Sequence, residues 1–251
     1  MLKKERQVII LKEISENQRV ISSELSKQLG VSEDTIRRDL KELSDLGKIN
    51  KVHGGAVLKG TSYLPFSLED REEYAKKEKT AIAHKAIELI EEEQVVFMDG
   101  GTTNLIIARL LPHDLKATFV TNCLPVAYEL SNFKNIRTIF LGGRIIGSAK
   151  VTVGLETSQL IKDIHADLFF LGTRSIHSVQ GVSDINLEET NIKKLMVQKA
   201  ERVVSVAISE KLGSIQPFRI CKLDNVHTLI TELDPEDATL EAYRKAGLQV
   251  L

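Results

Sequence analysis

The chain has 251 residues, 42% of them hydrophobic and 27% charged, with a formal net charge of −1. That composition excludes a disordered chain, and the length suits two domains. No apolar run reaches the ~20 residues of a membrane-crossing helix, and charges interrupt the N-terminal MLKKERQVIILKEISEN, so a helix rather than a leader is expected, in a cytoplasmic protein without membrane contact.

Cys123 and Cys221 stand apart, without a CxxC pair or nearby ligands, so two buried thiols are expected, with no disulfide and no metal site. Charge is unevenly spread. Residues 1–60 hold twelve Lys and Arg against nine Asp and Glu, the remainder 22 against 26. A basic head on an acidic body points to an electrostatic footprint on the head alone.

In chain order, residues 3–16 read as an amphipathic helix with Val8, Ile9, Leu11 and Ile14 available for a core. Ser22 or Ser23 can cap a short helix carrying Leu25 and Leu29, which Gly30 ends in a tight turn, with Val31 as its apolar plug. Ser32 caps a second helix, and Glu33 and Asp34 complement its dipole. Ile36, Leu40 and Leu43 form its buried stripe, leaving Thr35, Arg37, Arg38 and Lys41 to solvent. After Gly47, residues 48–52 can pair with 56–58 across His53-Gly54-Gly55. This series is that of a winged helix-turn-helix over residues 1–58, whose partner is double-stranded DNA. The expected DNA-contacting residues are Ser32, Thr35, Arg37, Arg38, Lys41, Lys51, His53, Gly54 and Gly55. The bland alternative is a three-helix domain with solvated arginines. The short helix, glycine turn, capped helix, arginine pair and glycine wing in one order favour DNA.

Stretch 59–75 is polar and lacks periodicity, so it reads as a linker to a domain over 76–251 that opens with a helix near 76–92. Apolar strands at 94–99, 117–122, 136–143, 166–172, 202–208 and 226–232 alternate with helix patterns near 104–111, 124–132, 155–164, 187–200 and 235–246. Near-continuous apolar strands separated by helices imply an α/β, Rossmann-like, largely parallel sheet. Ligands bind such sheets beyond the strand carboxyl ends. There lie Asp99, Gly100, Gly101, Thr102 and Thr103, then Thr121 and Asn122, Gly142 and Gly143, Gly172-Thr173-Arg174, and Lys211. The segment MDGGTTN matches neither the dinucleotide nor the P-loop pattern, and no cofactor is expected. Glycines before a helix N-terminus suit an anion, although a plain strand-to-helix turn also needs small residues, and the residues alone weigh the two equally.

VSEDTIRRDLKEL followed by KVHGGA resembles the N-terminal signature of the DeoR family of transcriptional regulators. DGGTT, VTN, LGG, FLGT, the GVSD…EE…K…M helix and SEKLG are similar to that family's effector domain, in order, over nearly the whole chain. The resemblance implies a fold like that of ribose-5-phosphate isomerase and glucosamine-6-phosphate deaminase. It implies a phosphorylated sugar or related effector held at 99–103 with Lys211 reaching in, and Glu188, Glu189 and Lys193 on the far side. It leans toward a repressor of carbohydrate-metabolism genes. Ser209 stands where the family commonly has Asp, and Arg174-Ser175 replace an acidic or amide residue and Gly, which leaves effector identity open.

Two rival readings stand beside this one. A sugar-phosphate isomerase or deaminase would draw on Asp99, Asp184, Glu188 or Glu189, but no acid pair or Asp–His set follows from spacing, so no catalytic residue is assigned. A purely architectural DNA protein leaves the glycine-rich strand ends unexplained. A homo-oligomer, dimer or higher, is expected, because one small module reads few base pairs.

Overall fold

Arg6, Ile10 and Ile14 stand four residues apart on α1 (Lys3–Asn17), and all three are buried. The stripe expected through Val8 is therefore corrected: Val8 is 66% exposed, and the inward face carries Arg6 because Asp39 pairs with it inside the unit. The computed structural model describes residues 2–17, 19–52, 54–58 and 68–251, in two units, Met1–Pro65 and Phe66–Leu251.

The first unit continues through β1 (Arg19–Ile21), α2 (Ser22–Leu29), α3 (Glu33–Asp45), β2 (Ile49–Val52) and β3 (Gly55–Leu58). Ile10, Ile14, Leu25, Ile36, Leu40, Leu43 and Ile49 make its core. Neither Ser22 nor Ser23 caps α2, whose N-cap is Ile21 without a side-chain bond. Instead the Ser22 N–H donates to Gly54 O at 2.7 Å, tying the helix start to the hairpin. Gly30 ends α2 at φ +64°, and Ser32 caps α3 by accepting from the Thr35 N–H. The hairpin pairs Ile49 with Leu58 and Val52 with Gly55, while β1 adds a third strand along β3, in the order β1-β3-β2. Gly55 therefore belongs to a strand rather than to the loop tip. A Cβ there would stand 2.0 Å from Val20 O, which is why the inner strand needs glycine.

The second unit begins with α4 (Leu68–Glu73) and α5 (Lys76–Ile87). The stretch read as a linker is thus helical in its later part, because Glu72 of α4 finds a partner in Arg109. Residues 59–67 lie outside the described residues. Then follow β4 (Val95–Met98), α6 (Thr102–Arg109), β5 (Ala117–Thr121), α7 (Leu124–Leu130), β6 (Ile136–Phe140), β7 (Arg144–Ile146), β8 (Val151–Val153), α8 (Leu155–Lys162) and β9 (Ala166–Gly172). The chain continues through β10 (Ser175–His177), β11 (Gly181–Asp184), α9 (Leu187–Lys199), β12 (Ala200–Val206), β13 (Phe218–Cys221), β14 (Thr228–Ile230), α10 (Glu241–Lys245) and β15 (Gln249–Val250).

Seven strands form the central sheet in the order β15-β14-β12-β9-β4-β5-β6, and every pairing in it is parallel. The expected parallel sheet is what the chain forms. Phe97, Phe119, Phe169 and Phe170 are fully buried on it, and the Phe97 and Phe169 rings meet edge to face at 6.2 Å. From β4 the chain runs outward through β5 and β6, then returns to place β9 on the other side of β4. The β4–β9 seam is therefore the switch point where such sheets open a crevice. A β7–β8 hairpin and a β10-β11-β13 antiparallel sheet flank this frame.

Among the described residues no helix is long and apolar enough to cross a membrane, and no group of three metal-binding side chains occurs. Cys123 and Cys221 are free and buried.

Candidate functional site

On α3 the apolar stripe turns the opposite face to solvent. The side chains of Arg37 and Arg38 are 61% and 78% exposed, each paired with a carboxylate one turn back, Glu33 at 3.2 Å and Asp34 at 2.6 Å. Exposed pairs of this kind contribute about 0.3–0.5 kcal/mol, so a phosphate or a base edge can displace the carboxylate cheaply. Lys41 and Lys51 are exposed as well. Ser32 and Thr35 are turned partly to each other, their hydroxyls 2.9 Å apart. Gly54 is exposed at φ +78°, Gly55 is buried, and His53 lies outside the described residues.

In the second unit one ammonium organises the strand ends. Lys193 of α9, 6% exposed, donates to Asp184 Oδ2 at 2.8 Å and to Gly172 O at 2.9 Å, and faces Asp99 Oδ2 at 3.4 Å. Asp99 Oδ1 accepts from the Gly172 N–H and from Asn104 Nδ2, both at 2.7 Å. Burial pushes the Asp99 carboxyl up to about 7 against the pull of Lys193. Burial also opposes the Lys193 charge, yet Asp184 and Asp99 together raise its pKa. Burial opposes the Asp184 charge, yet Lys193, the Ile185 amide and Arg174 together hold its pKa below the usual value.

Asp99 itself is buried, with its oxygens turned to partners within the chain. It ties the 99–101 loop to the end of β9 from beneath, and the two strands close tightly there: a Cβ on Gly172 would meet Gly100 O at 2.5 Å. That closeness leaves Gly100, Gly101, Thr102 and Thr103 at the N-terminus of α6, beside Gly172 at the end of β9. The first amides of a helix lack intrahelical acceptors and favour an anion.

Lys211, in the 3-10 turn Ser209–Lys211 after β12, sends its ammonium to Thr173 O at 2.5 Å. Burial, and then the cations Lys79, Arg174 and Lys193, push its pKa down to about 7. Burial lowers the Arg174 pKa too. These groups converge on the β4–β9 seam.

The other sequence-derived candidates have partners within the chain. Thr121 Oγ1 accepts from the Cys123 N–H at 3.0 Å, and Asn122 Nδ2 donates to Thr152 O at 2.8 Å, fastening β8 to the end of β5. Gly142 O accepts from Thr157 Oγ1 at 2.6 Å, and Gly143 packs against the same threonine. Glu188 is exposed and pairs with Arg144. Asn186 caps α9 through the Glu188 and Glu189 amides, and one residue further turns the helix by about 100°. Glu189 is thus the acid that feels Lys193, its pKa raised by burial. Sequence reasoning missed Asn104 and Lys79. The second had a signal, since Lys79 stands in the stripe Lys79-Ile82-Ala83-Ala86 that α5 buries.

The model of the DeoR C terminal sensor domain matches residues 74–233, and that of the DeoR-like helix-turn-helix domain residues 6–61. The HTH-type transcriptional regulator GolR of Listeria innocua is 34% identical, over 98% of this chain and 97% of its own length. A putative aga operon transcriptional repressor of Escherichia coli O157:H7 is 30% identical, over 98% and 93%. Among solved structures, ribose 5-phosphate isomerase A from Methanocaldococcus jannaschii matches 55% of each chain at 14% identity with a TM-score of 0.42. With both halves matched in order, the chain belongs to the DeoR family, DNA-binding transcriptional regulators rather than enzymes.

Proposed function

We propose that this regulator represses carbohydrate-metabolism genes and that a phosphorylated sugar or related phosphometabolite controls its affinity for DNA. The effector's phosphate lies on Gly100–Thr103 and is met by Lys211 and Arg174. The observation that carries this reading is Lys211. Its ammonium is turned to the strand ends, partly dehydrated and crowded by three other cations, and its pKa falls to about 7. A dianion restores what that site lacks, whereas a neutral sugar does not. The aga operon repressor among the relatives supports the repressor assignment. On the DNA side Arg37, Arg38 and Lys41 of α3 meet the major groove, with Thr35 at the helix start. Lys51, His53 and Gly54 follow the backbone from the wing. The working form is a cytoplasmic homo-oligomer of at least two copies, since paired heads are needed for the usual specific affinity.

The test is an operator-binding titration with pentose and hexose phosphates beside their unphosphorylated sugars. At least one phosphate should change operator affinity, by about 5- to 150-fold for a typical coupling, with the parent sugar silent. A response to neutral sugars alone would overturn the reading. Sedimentation velocity of the full chain checks the assembly, and a monomer at operator-binding concentrations would sink it.

A further inference from the structure

The central sheet ends on one side at β6, Ile136-Arg137-Thr138-Ile139-Phe140, which pairs with β5 and with no other described strand. Among the described residues β6 is the longest strand at any sheet edge. The edges β1, β7, β8 and β10 have three residues each, β2 and β13 four, and β15 two. Proteins blunt an open edge with proline, lysine, a bulge or a very short strand. β6 holds neither proline nor lysine, and its pairing with β5 runs from Ile136 to Phe140 without a shift of register. The pairing of β13 with β11, by contrast, shifts between Val182 and Ser183. Ile136, Thr138, Ile139 and Phe140 are all good strand formers, and Phe140 is 38% exposed.

The backbone of this edge is complementary to itself. The Leu141 N–H donates to Thr121 O beyond the end of β5. Backbone groups alternate sides along a strand, so Arg137 and Ile139 also face β5, while Ile136, Thr138 and Phe140 turn N–H and C=O to the open side. These outward residues lie symmetrically about Thr138. A second β6 laid antiparallel, threonine opposite threonine, sets Ile136 of each copy opposite Phe140 of the other. Every outward residue then exchanges both bonds with its opposite, and no outward group is left over. The side chains fit the same register, since an aromatic beside a β-branched residue and a threonine beside a threonine are favourable cross-strand pairs. Thr138 Oγ1 is buried without a hydrogen-bond partner, and a turn about χ1 brings it to the hydroxyl of the second copy.

The helix beside β6 agrees with this. On α7, Val126 and Leu130 are buried and Glu129 reaches Arg109 on α6. At 100° per residue, half-buried Leu124 and Ala127 fall on the flank away from α6. A two-fold axis through Thr138 sets the second copy's α7 on the same face of the joined sheet, against that flank. The sheet's other edge is a poor partner for β6. β15 offers only two residues, and a head-to-tail contact of that kind does not close on itself.

We infer that β6 is the seam of a two-fold dimer, in which the seven-stranded sheet of one copy continues into that of the other through antiparallel pairing centred on Thr138. This rests on the homo-oligomer reading above and gives that assembly its surface.

The experiment uses the full-length protein. T138P removes an outward N–H and no bond within the sheet, a place where an edge strand accepts proline. In sedimentation velocity the wild type should be a dimer, and T138P should dissociate at concentrations at least tenfold higher, with its circular dichroism unchanged. R137C/I139C sets cysteines of the two copies opposite each other at a non-hydrogen-bonded pair, with Cα atoms about 4.5 Å apart, within disulfide range. Mild oxidation should give a covalent dimer, and none from the wild type, whose cysteines are buried. Amide exchange over residues 136–140 should be slow in the wild-type dimer and faster on dilution to monomer. A T138P chain that associates like wild type, no covalent dimer from R137C/I139C, or exchange unaffected by dilution overturns the inference while leaving an oligomer built on another surface. If one variant fails to fold, the other and the wild-type exchange decide it by the same criteria. A wild type that stays monomeric at operator-binding concentrations sinks the oligomer reading and this inference together.

Discussion

Two helices, α3 in the first unit and α9 in the second, carry cations and use them in opposite ways. Arg37 and Arg38 on α3 stand in solvent, each with a single carboxylate one turn back. Lys193 on α9 is buried, with two carboxylates and a carbonyl fixed around it. Exposed cations remain well hydrated and exchange partners at little cost. A buried cation has given up its water and cannot release its partners without leaving charge stranded. The first arrangement suits a surface that must trade carboxylates for DNA phosphates. The second suits a frame that holds a loop in place for a ligand.

The sharpest way to break this contrast is to remove the buried cation. Lys193→Met leaves Asp99 and Asp184 facing each other without a counter-charge, and should destabilise the second unit by about 3–5 kcal/mol. Urea unfolding of the full chain, followed by circular dichroism at pH 7.5, reads this directly. A loss below about 1 kcal/mol would mean that Lys193 is not what holds the strand ends together.

The opposite experiment strips the exposed cations. The Arg37→Ala, Arg38→Ala double variant should lose about 1–3 kcal/mol of operator affinity for each base contact removed. Its unfolding free energy should stay within about 0.5 kcal/mol of wild type, as for surface positions generally. Fluorescence anisotropy on a labelled operator at several salt concentrations measures the affinity. It also shows whether the arginines meet phosphates, because removing one cation from a phosphate flattens the salt dependence by about one ion. Unchanged affinity would remove α3 from the groove.

The contrast also explains what the sequence could reveal. The stripe Ile36-Leu40-Leu43 and the alternation of apolar strands with helices are short-range periodicities, and α3, β4, β5 and β9 lie where those patterns put them. Glycine turns marked the strand-end loops for the same reason, since a local backbone demand leaves a local residue. Features set by distant partners were hidden. Arg6 stands in an inward stripe only because Asp39, far along the chain, waits for it. Gly55 looked like a loop tip because the three-residue strand β1 beside it left no pattern of its own. Glu188 and Glu189 were indistinguishable until α9 was rotated into place, with one facing Arg144 and the other feeling Lys193. The helix α4 was invisible because its anchors, Arg109 and Ser148, come from elsewhere in the fold.

The smallest expected effect is also the most specific, because it separates Lys211 from the other cations by pH alone. Lys211 has a pKa of about 7 in the folded, unliganded chain, against about 10.4 when unfolded. Between those values the unfolded chain binds the extra proton, so this lysine's contribution makes the unliganded protein more stable as pH rises from 7 toward 10. Ligand binding runs the other way. A phosphate dianion favours the protonated ammonium, so above pH 7 each binding event must take up a proton, and affinity should fall by up to about tenfold per pH unit. Below about pH 6 the phosphate itself gains a proton and loses charge. The two limbs predict an affinity maximum between about pH 6 and 7. Lys211→Arg should flatten the alkaline limb, since a guanidinium stays protonated throughout this range. Calorimetric titrations from pH 5 to 9, in buffers of differing ionisation enthalpy, give both the affinity and the proton uptake. An affinity that stays level from pH 7 to 9 in wild type, with no proton taken up, would show that Lys211 does not meet the ligand's charge.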